Sequence, residues 1–343
     1  MLSYDILFSV IIPTFNRADE IQELLQSLSK QLLNKNEFEI LIVDDGSTDN
    51  TQSVIDSIKK NSKLDIKTLH QDHQGPGEAR NLGMKNAKGK YFIFIDSDCI
   101  ADEHWLSAYK KEVAEKDVAG FGGPDSVLPN FKPVQKAIDY SMTSFITTGG
   151  IRGHSKKKIS KYYPRSFNMG VRADIVERIG GMGKLRHGQD IEFSNRILST
   201  GEQIIKVADA VVYHKRRISI KKFFKQVYNW GVARINLFKI DSKMLEPVHF
   251  FPAIGTIISL TFILLAVLFP NIFLPFIMFG IFVLLVMAIH GVVKYNDIKV
   301  FPYIPIIVVT QIWGYGLGFI NAFVKRIIFN KNEFTGFVRN YYK

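Results

Sequence analysis

Two aspartates one residue apart close a β-type run, Ile93-Phe94-Ile95-Asp96-Ser97-Asp98. Side chains at i and i+2 of an extended chain leave on the same side, so the carboxylates converge and repel unless a cation lies near. Hard divalent ions such as Mg²⁺ or Mn²⁺ take such oxygens and complete their shell with water and substrate phosphates. Asp-Ser-Asp is equally good turn chemistry. A second acidic group, Asp44-Asp45-Gly46-Ser47-Thr48-Asp49, follows the run Glu39-Ile40-Leu41-Ile42-Val43. A carboxylate there can accept hydrogen bonds from a nucleobase or ribose, while Ser47 or Asp49 can equally cap the helix through Ile55 and Ile58. Further on, Gly75-Pro76-Gly77 leads into a helix presenting Arg80. It lacks the spacing of a dinucleotide-binding fingerprint.

These groups need a sheet behind them. Ser9-Val10-Ile11-Ile12, the runs ending at Val43 and Ile95, and Ile204-Ile205-Lys206-Val207 are short continuous apolar strands, as in a mostly parallel sheet covered on both faces. Ala18 to Leu33 carries Ile21, Leu24, Leu25 and Leu28 at the spacing of one helix face. The pattern predicts an α/β domain with its acidic residues just beyond the strand ends, where open α/β sheets bind ligands.

Taken together, Val10-Ile11-Ile12-Pro13-Thr14-Phe15-Asn16-Arg17, Asp44-Asp45-Gly46-Ser47, Ala79-Arg80-Asn81 and Asp96-Ser97-Asp98 resemble the successive signature segments of family 2 glycosyltransferases. The resemblance covers about the first 215 residues and implies a GT-A-type nucleotide-binding fold with a mixed, mostly parallel sheet. It also implies a nucleotide-sugar donor, usually a UDP-sugar, and a divalent cation, Mn²⁺ or Mg²⁺. Carried over by position, the nucleotide-sugar side is Pro13, Phe15, Arg17, Asp44, Asp45, Arg80, Asp96 and Ser97. Phe15 is expected to stack on the base, Asp45 to bind the uracil, Arg80 to lie on the nucleotide side and Asp96 to approach the ribose. Asp98 is expected to hold the metal. Phe167-Asn168-Met169-Gly170-Val171-Arg172 and Ile179-Gly180-Gly181-Met182 are similar to the acceptor-side segments, and in Gly188-Gln189-Asp190 the aspartate takes the place of the catalytic base. Gln189 departs from the family's usual Glu. His214, before three cations, is a third metal ligand, a contact to the diphosphate or a structural histidine. Gln226-Val227-Tyr228-Asn229-Trp230 is faintly similar to the Gln-x-x-Arg-Trp segment of processive synthases, but Asn229 replaces the arginine.

Composition separates a second part of the chain. A mean hydropathy of +0.05 and a net charge of +12 describe neither half. The 47 residues 247–293 contain no Asp, Glu, Lys or Arg, enough for two membrane spans of roughly 20 residues each, with Pro270-Asn271 as the turn. A further uncharged run, Val300 to Val324, reads as a third span or a re-entrant segment. Three full spans would put the basic tail (Lys325, Arg326, Lys331, Arg339, Lys343) on the side opposite the catalytic domain, against the positive-inside tendency. Two spans plus a re-entrant segment keep them together. Between Lys206 and Glu246 basic residues interleave with Phe223, Phe224, Val227, Tyr228 and Trp230, predicting a basic amphipathic helix in the headgroup layer rather than a nucleic-acid site. Between Asp139 and Asp174 lie seven basic residues, Arg152, Lys156, Lys157, Lys158, Lys161, Arg165 and Arg172, and no acidic one, which reads as a solvated surface loop. The single cysteine, Cys99, excludes a disulfide framework and a cysteine zinc cluster.

The expected organisation is a catalytic domain at 1–215, a juxtamembrane segment at 216–246, a transmembrane or re-entrant region at 247–324 and a tail at 325–343. The expected function is single-sugar transfer with inversion to a lipid-linked or membrane-proximal acceptor, in bacterial surface polysaccharide or glycolipid synthesis. The resemblance within the family is to exopolysaccharide-type enzymes. The catalytic domain is expected on the cytosolic side of the cytoplasmic membrane. Transfer to polyprenyl phosphate is the neighbouring alternative. A non-catalytic membrane adaptor is disfavoured, since it has no need of Asp96, Asp98 and Asp190 together.

Overall fold

The structure is a computed structural model and describes residues 5–126, 131–148, 162–215 and 219–332. The basic loop with Arg152, Lys156, Lys157, Lys158 and Lys161, and also Arg216, Arg217, Arg339 and Lys343, lie outside the described residues. In chain order the elements are β1 (Phe8–Thr14), α1 (Ala18–Ser29), β2 (Phe38–Asp44), α2 (Thr51–Asn61), β3 (Ile66–His70), α3 (Pro76–Asn86), β4 (Tyr91–Phe94), β5 (Cys99–Ala101), α4 (Trp105–Glu115), β6 (Gly120–Gly122) and β7 (Asp125–Ser126). There follow α5 (Pro133–Thr143), α6 (Phe145–Thr148), β8 (Met169–Arg172), α7 (Ala173–Ile179), α8 (Gln189–Ser199), β9 (Ile204–Lys206), β10 (Val212–His214), α9 (Ile220–Ile240), α10 (Phe251–Leu268), α11 (Pro270–Tyr295) and α12 (Tyr303–Phe323).

The chain divides into two compact units. In the first, a seven-stranded sheet runs β3-β2-β1-β4-β8-β6-β9, and a three-stranded sheet runs β5-β10-β7. β8 is antiparallel to both its neighbours and every other pair in the larger sheet is parallel, the mixed, mostly parallel sheet that was expected. The continuous apolar runs conceal a period of two. Val10, Ile12, Ile40, Ile42, Ile93 and Ile95 pack under α1 and α4, whereas Ile11, Leu41, Val43, Phe92 and Phe94 pack under α3 and α8. Helix α1 stops at Ser29, short of the expected Leu33. Gln31 is drawn into the fold instead, donating to the Asp102 carbonyl at 2.6 Å and accepting from the Leu106 N–H at 3.0 Å.

Strand register sets the site. Thr14 pairs with Asp44 and Ile11 with Phe94, and the Ile95 N–H bonds the Ile11 carbonyl. The residues after β1, β2 and β4 therefore leave the sheet at one edge.

The second unit contains α5, α6 and α9 to α12. The stretch 247–268, α11 and the stretch 303–328 are each long and apolar enough to cross a membrane. The first two meet at Phe269 and Pro270, where the proline takes the first helical position. They are 11% buried over their most apolar windows, against 39% for the third. Helix α9 accounts for part of that difference. A Cβ on Gly231 would lie 2.1 Å from the Tyr315 carbonyl, and one on Gly318 would lie 2.1 Å from the Tyr228 carbonyl, so glycine lets the two backbones touch. Phe223, Val227, Ile235 and Leu237 are buried. Much of the apolar face expected to meet lipid headgroups is covered by α12. Helix α5, from the middle of the sequence, also belongs here: Tyr140 donates toward or accepts from His290 Nδ1 at 2.9 Å, and the Tyr295 hydroxyl donates to Asp139 at 2.6 Å.

Ending the chain after Lys215 is expected to uncover Ala137, Ile138, Tyr140 and Met142, all at most 3% exposed, and to give an aggregating product. A monodisperse peak on gel filtration for that fragment would contradict the role of α5 as part of the second unit.

Candidate active site

The nucleotide end is built from two turns that hold each other. Asn16 adopts a positive φ of 52°; its N–H bonds Ser47 Oγ at 2.9 Å and its Oδ1 accepts the Thr48 N–H at 2.7 Å. Phe15, 37% exposed, stacks on His73 with ring centroids 3.8 Å apart. Asp45 lies behind them. Its oxygens accept from Gln71 Nε2 (2.6 Å), His73 Nδ1 (2.8 Å) and the N–H groups of Gln74 (2.8 Å) and Gly75 (2.9 Å). A carboxylate has about four lone-pair sites, so contact between Asp45 and a base requires one of these donors to move. As the structure stands, Asp45 positions His73 and the start of α3. Asp44 accepts the Ser47 N–H at 3.0 Å, and Pro13 and Ser97 are buried.

The two carboxylates after β4 have different partners. Asp96 pairs with Arg80, which is 4% exposed. Asp98 Oδ1 lies 3.3 Å from His214 Nε2. Burial by itself would lower the Arg17 guanidinium, but Glu20 and the charges of Asp98 and Asp96 hold it above its ordinary value. Burial, reinforced by Asp98, Asp96 and Asp125, pushes the Cys99 thiol well up. Both shifts report a concentrated negative field at this edge.

The donor set fits a divalent cation. One ligand atom each of Asp98, Cys99 and His214 lies within 4.8 Å of the others, and His214 Nδ1 is buried with no hydrogen-bond partner among the described residues. Cys99 is 1% exposed and packed in the core. The carboxylate oxygen and imidazole nitrogen that remain are donors a divalent cation can take.

Asp190 opens α8. Its Oδ1 accepts the Ile191 N–H at 3.0 Å and its Oδ2 lies 3.6 Å from Arg165 Nη1. Gly188 before it has φ +84°. Gln189 donates to the Gly183 carbonyl at 2.8 Å and lies against Gly77, where a Cβ would come within 2.3 Å of its amide. That close approach accounts for the second glycine of Gly75-Pro76-Gly77.

A turn at 165–168 joins the ends of the site. The Asn168 N–H bonds the Arg165 carbonyl at 2.8 Å, and Phe167 stacks on His214 at 4.7 Å. Fully buried Asn168 pins the turn. Its Oδ1 accepts from Trp105 Nε1 (2.8 Å) and the Tyr109 hydroxyl, and its Nδ2 donates to the carbonyls of Ala210 (2.9 Å) and Pro124 (3.2 Å). Sequence reasoning assigned no role to Asn16, His73, Arg165 or Asn168. Only the position of His73 two residues before Gly75 could have signalled it.

The fold is that of GT-A glycosyltransferases. It superimposes on the mannosyltransferase PcManGT of Pyrobaculum calidifontis, solved with GDP-Man and Mn²⁺, with a TM-score of 0.66 over 91% of each chain at 17% identity. Residues 9–180 match the profile of Glycosyl transferase family 2, and the chain belongs to that family and is a glycosyltransferase. It is 28% identical over 242 residues, 68% of this chain and 77% of the relative, to the glycosyltransferase AglE of Haloferax volcanii. It is also 28% identical over 247 residues, 66% of this chain and 72% of the other, to a Methanococcus voltae enzyme named dolichyl N-acetyl-alpha-D-glucosaminyl phosphate 3-beta-D-2,3-diacetamido-2,3-dideoxy-beta-D-glucuronosyltransferase.

Asn168→Ala would leave the Trp105 and Tyr109 donors buried without their acceptor, at a cost of about 1–3 kcal/mol each. The expected result is a clear fall in the thermal midpoint together with a fall in kcat; retention of both would show that Asn168 does not hold the turn.

Proposed function

We propose that the enzyme transfers one sugar, with inversion, from a nucleotide-sugar donor, taken here as a UDP-sugar, to a lipid-linked or membrane-proximal acceptor. The observation that carries this reading is the turn at 165–168, whose Arg165 faces Asp190 while its Phe167 stacks on the His214 that lies beside Asp98. Phe15 and His73 form an aromatic surface for the base, with Asp45 bracing it. Arg80 and Asp96 lie toward the ribose and phosphates. Asp98 and His214 would hold a divalent cation, which when bound stabilises the charge on the departing diphosphate. Asp190 takes the proton from the acceptor hydroxyl as its oxygen attacks the anomeric carbon and the bond to the diphosphate breaks on the opposite face.

The apolar hairpin of α10 and α11 supports a membrane-borne acceptor, because an anchored enzyme meets a lipid-borne sugar at raised effective concentration. The dolichyl-linked substrate in the Methanococcus enzyme's name supports the same class. The catalytic unit then faces the cytosol, where nucleotide sugars are made, at the cytoplasmic membrane. In this reading two helices span, and α12 lies at the base of their hairpin.

Asp190→Asn is expected to lower turnover by about 10²–10⁴-fold while leaving UDP binding intact, whereas Asp98→Ala should weaken Mn²⁺-dependent UDP binding. A nucleotide-sugar panel with membrane lipid extract, read as UDP or GDP release, tests both; unchanged turnover in Asp190→Asn would remove it as the base. For topology, a protease site inserted after Lys331 should be cut from the same side of sealed vesicles as the catalytic unit. Cleavage from the opposite side would restore a third span.

A further inference from the structure

Both oxygens of Asp190 already have a neighbour. Oδ1 holds the start of α8 through the Ile191 N–H, and Oδ2 faces the Arg165 guanidinium at 3.6 Å. The two side chains are 22% and 17% exposed, so the pair is at the wall of the site, within reach of a ligand. Among the described residues Asp190 is the one carboxylate in ion-pair distance of Arg165. A guanidinium beside Oδ2 competes with an acceptor hydroxyl that is to lose its proton there.

A partly buried guanidinium that leaves one anion needs another, and the reaction brings phosphoryl oxygens into this site. The planar fork of arginine matches them in the same two-point geometry as a carboxylate. The backbone at Arg165 cannot drift while this happens, because its carbonyl is tied to the Asn168 N–H and Asn168 is locked in the core. Only the side chain is left to swing. Two residues on, Phe167 stacks on His214 beside Asp98, so the turn that carries Arg165 also borders the region assigned to the leaving diphosphate.

We propose that Arg165 is a phosphate-responsive positioning residue: it pairs with Asp190 in the empty site and moves to a phosphoryl oxygen of bound substrate, uncovering Asp190 Oδ2 for the acceptor hydroxyl. The proposal rests on Asp190 as the base. The phosphoryl group belongs either to the donor diphosphate or to a phosphate on a lipid-linked acceptor, and the chemistry of recognition is the same.

The test uses the full-length protein in detergent, with Arg165→Met, Arg165→Lys and Asp190→Asn. Calorimetric titration with UDP and with GDP in the presence of Mn²⁺ reads the donor arm. If the donor is engaged, Arg165→Met weakens diphosphate binding about tenfold or more, Arg165→Lys recovers part of it, and binding of the bare nucleoside is unchanged. If the acceptor is engaged, nucleotide affinity stays constant while KM for the lipid-linked acceptor rises about tenfold and kcat changes less. Unchanged diphosphate affinity together with unchanged acceptor KM in Arg165→Met overturns the proposal. Retained turnover in Asp190→Asn would instead remove the base assignment, and the affinity measurements on Arg165 would still stand on their own.

Discussion

Concentrated negative charge at one edge of the sheet is the constraint to which the rest of the catalytic unit answers. Parallel register brings the ends of β1, β2 and β4 together, and with them Asp44, Asp45, Asp96 and Asp98. Gathered carboxylates need partners. Each partner found fixes a different part of the site: Arg80 for Asp96, His214 for Asp98, and for Asp45 a set of N–H donors that shapes the loop before α3.

The opposite wall of the site depends on one buried amide. Asn168 uses both ends of its side chain on four partners from α4, the residue before β7 and the residue at 210. Because every donor and acceptor is matched, its orientation is dictated by the network, and fully satisfied buried networks of this kind are rigid. The rigidity is passed to the turn at 165–168, which presents a guanidinium toward Asp190 and an aromatic ring toward His214. A loop this close to the chemistry is thereby as firmly placed as a strand.

Much of this was legible in the chain itself. The strand runs, the acidic residues beyond them and the order of the four signature segments led to the sheet, its mixed character and the family, because each is a local pattern of known period or spacing. His73 was not legible: a histidine in a polar loop gives no sign that Asp45 will bond it and that Phe15 will stack on it. Arg165 was hidden for a related reason, since its partner lies 25 residues away in sequence and nothing periodic connects them. The membrane end misled in another way. The apolar face of α9 has the composition of a headgroup-facing surface, but the glycines of α12 that draw it onto protein are 87 or more residues further on, from Gly314 against Val227 to Gly318 against Tyr228.

Those contacts also bear on how α12 meets the bilayer. At 1.5 Å per residue, Gly291 of α11 is about 32 Å from the hairpin tip at Pro270, at the hairpin's base, and it is there that Ile304, the second residue of α12, packs. Near its other end Phe319 packs on Phe250, the residue before α10 begins, again at the base. Between them Ile312 accepts from Thr256 Oγ1 and Trp313 donates to Ser259 Oγ, so the middle of the helix reaches less than halfway along α10. Both ends of α12 therefore lie toward the same end of the α10–α11 hairpin. The helix lies obliquely across the foot of the hairpin, with α9 alongside its second half. Leu264, Val267, Phe269 and Phe276, each at least half exposed, are left as an apolar surface on the hairpin.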